Sequence, residues 1–177
     1  MKIYIPDLKK KEGDFVSYYE KIDFDSLNLR DFESNSSFLT VSLQAAYVPR
    51  RVIAKGEWHS NVEDTCSRCL ENCVYYLKES FYEEFVQLSE SGEPEENVAR
   101  ADKEEGDIFV FKGETLDLGE YLRQTFIMSQ PLKVLCSEGC KGLCSVCGAN
   151  RNKTQCDCNE ETIDPRLEVL QQMKNNL

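Results

Sequence analysis

Apolar and polar positions alternate most cleanly from Phe38 to Tyr47. Leu39, Val41, Leu43, Ala45 and Tyr47 recur at every second residue, with Thr40, Ser42 and Gln44 between them. A period of two predicts a strand with one buried face. Val48-Pro49-Arg50 interrupts the pattern, and then Val52, Ala54, Gly56 and Trp58 alternate against Lys55 and Glu57. The two stretches predict a hairpin or a meander pair. Ahead of them, Ile3 and Ile5 before Pro6-Asp7 predict a short strand and a turn, and Phe15 to Phe24 predicts an extended segment. Ser34 to Ser37 reads as a loop. Beyond the pair, Val74 to Leu88 carries both periods. Leu77, Phe81, Phe85 and Leu88 fit a helix, while Val74-Tyr75-Tyr76 and the later aromatics fit a strand. We read a strand, because it continues the antiparallel series.

Leu118, Tyr121, Leu122 and Phe126 fall at helical spacing, so Leu116 to Met128 is expected to be a helix. Asp117 is its cap and Glu120 follows three residues later. A second helix is expected from Asp164-Pro165, with Leu167, Leu170 and Leu177 on its apolar side. Ile108 to Phe111 predicts a short strand. The expected fold class is α+β: an antiparallel β-domain with one or two helices and a small zinc-held C-terminal lobe. Residues 1–88 form the β-domain, 89–106 an acidic flexible loop, and 107–131 a strand and helix packing on the β-domain. Residues 132–177 form the cysteine-rich zinc lobe and C-terminal helix.

Charge sharpens this division. The 177-residue chain carries a formal charge of −11. Residues 83–107 hold ten acidic side chains against Arg100 and Lys103, and little there can be buried, which predicts a solvated spacer. From Lys133 to Lys153 the balance reverses: Lys133, Lys141, Arg151 and Lys153 stand against Glu138. Such a chain is not expected to bind nucleic acid indiscriminately. The first residues lack the apolar core of a secretory signal, and no apolar run reaches the length of a membrane span. A cytoplasmic protein with no membrane partner is expected.

Six of the nine cysteines lie between Cys136 and Cys158. Cys144 and Cys147 form a C-x-x-C followed by Gly148, and Cys156 and Cys158 lie just beyond. Two thiolates three residues apart reach one ion if the backbone turns back, and a glycine after the second supplies the φ > 0 of that turn. One structural Zn²⁺ on Cys144, Cys147, Cys156 and Cys158 is expected. Its binding energy, on the order of 10–16 kcal/mol in zinc-finger peptides, is also folding energy for a small lobe. Cys66, Cys69, Cys136 and Cys140 make a second Cys₄ site if the strand end at 66–69 lies beside the start of the lobe. Otherwise Cys66 and Cys69 simply pack, or act as a dithiol. Cys73 is expected to be a structural thiol. One or two zincs are thus open.

Catalysis finds no motif. His59 is the sole histidine, and it is read as a surface or edge residue. Neither a zinc-hydrolase pattern nor a phosphate-binding loop nor a nucleophile elbow is present. The protein is therefore expected not to be an enzyme. Arg68, Lys133, Lys141, Arg151 and Lys153 are the candidate RNA-phosphate contacts.

Longer motifs then resemble a known family. C-x-R-C-L runs from Cys66 to Leu70, and L-C-S-E-x-C-K-G-L-C-x-x-C-G-x-N from Leu135 to Asn150. C-x-C follows, and a D-P-R-L stretch opens the last predicted helix. The chain resembles the YceD family, bacterial and plastid proteins of large-subunit ribosomal RNA accumulation, in its cysteine-rich version. Some members lack the later cysteines. Ser145 stands where the family often has proline, and Arg151 where leucine is common. The resemblance implies a role in ribosome biogenesis, with large-subunit ribosomal RNA or its precursor as partner. Two other roles remain open. An acidic adaptor would hold a basic large-subunit ribosomal protein, and a thiol-redox factor would cycle a Cys66–Cys69 disulfide.

Overall fold

Strand β1 (Lys2–Tyr4) opens the chain in a computed structural model that describes residues 1–29, 38–88 and 109–158. The expected turn at Pro6-Asp7 is instead a short helix, α1 (Ile5–Lys9). Proline in the first turn has no N–H to lose there, and its φ already suits a helix. β2 (Val16–Asp23), β3 (Phe38–Val48), β4 (Arg51–Thr65) and β5 (Asn72–Gln87) follow, with a 3₁₀ turn over Phe24–Leu27. β6 (Phe109–Phe111), β7 (Thr115–Asp117) and α2 (Gly119–Met128) complete the described elements. The fold class is α+β, dominated by antiparallel sheet.

The chain forms two compact units, Met1–Asp64 with Val74–Leu132, and Thr65–Cys73 with Lys133–Leu177. The first contains a five-stranded sheet in the order β2-β3-β4-β5-β6 and a two-stranded sheet of β1 and β7. β2, β3 and β4 pair antiparallel. β6, the short strand expected at Ile108 to Phe111, runs parallel to β5, pairing Phe109 with Phe85. β7 takes Leu116 and Asp117 from the predicted helix, because Leu116 pairs with Ile3. The helix begins only after Leu118. Leu118 takes the cap position expected of Asp117, because Asp117 is still in β7; the Asp117 carboxylate nevertheless accepts the Gly119 N–H at 2.9 Å.

The alternation in β3 and β4 is a burial pattern. Leu39, Val41, Leu43 and Ala45 are buried, as are Val52, Ala54 and Trp58. Onto this face α2 lays the stripe read from its spacing. Tyr121, Leu122 and Phe126 are buried, and the Phe126 ring lies 4.8 Å from Phe24 and 5.8 Å from Trp58. The strand reading of Val74 to Leu88 holds. Of the residues that fit a helix there, Phe81 and Phe85 are buried on the strand, both packed edge-on to Tyr121. His59 sits on β4, the central strand, half-buried with its ring 5.9 Å from Tyr76. The loop at Ser34 to Ser37, the acidic stretch 89–106 and the helix expected from Asp164 lie outside the described residues.

Candidate metal centre

The second unit begins in the connection between β4 and β5. There Leu70 donates its N–H to the Cys66 carbonyl at 2.9 Å, and Cys66 donates to the Glu71 carbonyl at 2.9 Å. The same two bonds recur at the C-x-x-C of the later segment. Gly148 donates to the Cys144 carbonyl at 2.9 Å, and Cys144 to Ala149 at 2.8 Å. Each turn reverses the chain within six residues, and each needs a left-handed residue after its second cysteine. Gly148 takes φ 73° and Leu70 takes φ 59°.

Three hydrogen bonds bring the distant cysteines together. Ser67 N–H reaches the Val134 carbonyl at 2.9 Å, and Leu143 N–H reaches the Arg68 carbonyl at 3.1 Å. The Arg68 guanidinium donates through Nη1 to the Cys140 carbonyl at 3.0 Å. Gly142 lies under this contact with φ 70°, and a Cβ there would stand 3.1 Å from the Arg68 carbonyl oxygen. The sulfurs of Cys66, Cys69, Cys136 and Cys140 all lie within 4.8 Å of one another, and so do those of Cys144, Cys147, Cys156 and Cys158.

The spacing suits a metal and not a disulfide. Cys66 and Cys140 Sγ are 3.8 Å apart, and Cys69 and Cys136 Sγ 3.6 Å. A disulfide needs about 2.0 Å. Four sulfurs at about 2.3 Å from a tetrahedral ion stand roughly 3.8 Å from each other. Both groups of four can therefore hold a metal ion. Cys66, Cys69, Cys140 and Cys144 are buried, while Cys136 and Cys147 are exposed.

Electrostatics point the same way. Backbone N–H groups of Cys69 and then Cys136 bring the Cys66 thiol down to about 6. Those of Cys147 and Val146 do the same for Cys144, also to about 6. The neighbouring sulfurs resist: Cys136 is pushed up to about 12 by Cys140 and Cys69, and Cys158 to about 12 by Cys147 together with burial. In each cluster at least one thiol is thus drawn toward the thiolate while others are held protonated by their neighbours. A dication removes the mutual repulsion and lets all four ionise.

Several contributors were not visible as site residues in the sequence. Asn152 donates its amide N–H to Cys140 Sγ at 3.3 Å, and its Oδ1 accepts the Lys141 N–H at 2.8 Å. Burial works against ionising Cys140, yet the Asn152 amide helps bring its thiol down. Glu71 receives Lys153 Nζ at 2.7 Å and Asn150 Nδ2 at 3.3 Å. The only hint was the N-x-N run at 150–152, a pattern of short amides suited to backbone turns.

The five candidate RNA contacts differ in what already engages them. Arg68 holds the Cys140 carbonyl, and Lys153 pairs with Glu71. Arg151 N–H reaches the Gly142 carbonyl at 2.9 Å. Lys133 and Lys141 form no ion pair among the described residues. Cys73 packs beside Cys66, Cys69 and Cys140 without joining either group of four.

Residues 54–174 match the family described as "Large ribosomal RNA subunit accumulation protein YceD", a span that includes both groups of four cysteines. A curated relative, "Large ribosomal RNA subunit accumulation protein YCED homolog 1, chloroplastic" of Arabidopsis thaliana, is 37% identical over 49 residues. That stretch covers 28% of this chain and only 15% of the relative. No solved structure matches the chain. Matched over more than half its length by the family's pattern, the chain belongs to the YceD family.

Proposed function

We propose that this protein is a non-catalytic, zinc-binding factor of ribosome biogenesis that supports accumulation of large-subunit ribosomal RNA by contacting that RNA or its precursor. The observation that carries this is the family match spanning both four-cysteine groups. The family's description names the accumulation of an RNA and no reaction. Cys66, Cys69, Cys136 and Cys140 hold one structural zinc, and Cys144, Cys147, Cys156 and Cys158 the other. With four thiolates each, neither ion keeps a position open for substrate. The zincs fix the turns of the second unit, and Lys133 and Lys141 lead its contact with phosphate. Arg151 adds to them, while Arg68 and Lys153 serve mainly inside the unit, through Cys140 and Glu71.

The test is binding of the zinc-loaded chain to a large-subunit ribosomal RNA fragment across a salt series. Log affinity should fall linearly with log salt, and Lys133→Ala with Lys141→Ala should flatten the slope by roughly 0.7–0.9 for each phosphate no longer neutralised. Binding to a basic large-subunit ribosomal protein with no affinity for the RNA would favour the adaptor role instead. A reversible Cys66–Cys69 disulfide in protein that carries no metal would favour the redox role.

A further inference from the structure

The five-stranded sheet of the first unit has one face under α2 and one face turned to solvent. On the solvent face the register aligns Tyr19, Ser42 and Glu57 in one row and Lys21, Thr40 and His59 in the next. Three contacts carry the rows onto β5. Lys78 Nζ lies 2.7 Å from Glu57, the Tyr76 ring 5.9 Å from His59, and Arg51 Nη1 2.8 Å from Glu84. Phe38 shares the Thr40 side of β3, and Tyr82 the Tyr76 side of β5. Phe15 joins them through Lys55, whose Nζ stands 4.1 Å from its ring centre.

Six aromatic side chains are strongly exposed among the described residues, and only Tyr4 lies off this face. Tyr19 is 66% exposed, Tyr76 58% and Tyr82 62%. Isolated exposed rings are ordinary, but five gathered on one sheet face form a recognition surface. Their surroundings are not those of a protein-docking core, which is apolar. Thr40 and Ser42 separate the Tyr19 ring from His59 and Tyr76. A depression of about 470 Å³ has Leu43 and Phe81 in its lining beside Ser17, Ser42, Lys55 and Glu57, a size that admits a nucleoside. Charge fits as well. In a chain of −11, the four cations of this face balance its four anions: Lys21, Arg51, Lys55 and Lys78 against Asp23, Glu57, Glu63 and Glu84. Ion pairs occupy Glu57 and Glu84, while Lys21 has no acidic partner among the described residues.

We propose that this face is a stacking platform for single-stranded RNA, with Tyr19 and Tyr76 stacking bases and Lys21 and Lys55 meeting phosphates. The proposal rests on the reading that the protein contacts large-subunit RNA, and it names the unpaired segments of that RNA as what this face takes. Stacking suits a face with no net charge, because every base offers a π-face whatever the sequence.

The experiment is fluorescence anisotropy of a labelled, unstructured RNA of about 12 nucleotides, titrated with the zinc-loaded full chain. Tyr19→Ala and Tyr76→Ala should each weaken binding roughly 5- to 150-fold, with Tyr19→Phe and Tyr76→Phe near native. Lys21→Gln and Lys55→Gln should each lower the salt slope by about 0.7. Circular dichroism confirms that the exposed substitutions leave the sheet folded. If the native chain binds RNA and the alanine variants bind equally well, the platform is overturned while the RNA reading stands. If the native chain binds neither this RNA nor a large-subunit ribosomal RNA fragment, that reading falls too. Self-association abolished by the alanine substitutions, with no RNA binding, would make the face a protein contact and overturn the platform.

Discussion

Leu70 and Gly148 occupy the same place in two turns closed by the same pair of backbone hydrogen bonds. Each follows the second cysteine of a C-x-x-C, each has a positive φ, and each donates its N–H to the first cysteine's carbonyl at 2.9 Å. Glycine adopts this conformation freely, whereas an L side chain there costs about 1–2 kcal/mol. Leu70 is 64% exposed, so little burial compensates it. Leu70→Gly is expected to stabilise the zinc-bound protein by about 0.5–1 kcal/mol, after the added freedom of the unfolded chain is counted. Gly148→Val should destabilise it by about 2 kcal/mol. Denaturant midpoints at saturating zinc check both, and equal midpoints for native and Leu70→Gly would mean that Leu70 is not strained.

Metal content separates the two clusters. Elemental mass spectrometry of protein purified under reducing conditions should give two zincs per chain. Cys140→Ser and Cys158→Ser should each leave one, since the two residues belong to different groups of four. Loss of both zincs from either variant would mean that the groups are not independent.

Zinc affinity should rise with pH. Cys136 and Cys158, pushed up to about 12, keep their protons at neutral pH in the metal-free protein, whereas Cys66 and Cys144, near 6, are already largely thiolate. Raised thiols favour the protonated state, so zinc must displace those protons, and acid competes with it. Chelator competition between pH 6.5 and 8 should show affinity gaining about tenfold per pH unit for each proton released. An affinity that stays flat over that range would contradict thiolate ligation by Cys136 and Cys158.

Asn152 supports one site from a residue that is not a ligand. Its amide donates to Cys140 Sγ and its oxygen receives the Lys141 N–H. Asn152→Ala removes both bonds and should weaken zinc at the Cys66 cluster by about 10- to 100-fold, leaving the Cys144 cluster near native. Stepwise zinc release to a chromophoric chelator reads the two sites separately.

Trp58 is fully buried against Phe126, and its Nε1–H has no partner among the described residues. Trp58→Ala should cost about 3–5 kcal/mol through the cavity it leaves. Trp58→Phe keeps a ring and removes the unpaired donor, so its cost should stay under about 2 kcal/mol. Urea unfolding followed by far-ultraviolet circular dichroism measures both.

The sequence by itself determined the elements whose signal is local. Alternation in Leu39 to Tyr47 and Val52 to Trp58 marked β3 and β4, because a strand with one buried face repeats every two residues. The stripe of Tyr121, Leu122 and Phe126 marked the buried side of α2, because one face of a helix recurs every three to four residues. C-x-x-C spacing exposed two metal-type turns, and the longer cysteine motifs pointed to the family. Tertiary structure decided what depends on partners far along the chain. Leu116 fits the start of a helix, yet it pairs with Ile3, and no local pattern records a contact across that separation. The direction of β6 beside β5 depends on how the chain returns to the sheet, which three apolar residues cannot encode. Nor could spacing say how the eight sulfurs divide into two groups of four. Cys66 and Cys69 meet Cys136 and Cys140 because Ser67 and Arg68 hydrogen-bond to Val134, Leu143 and Cys140. The left-handed turn at Leu70 stayed hidden because leucine carries no signal for it. Only the hydrogen bonds closing the turn impose that conformation, and they exist once the chain has folded.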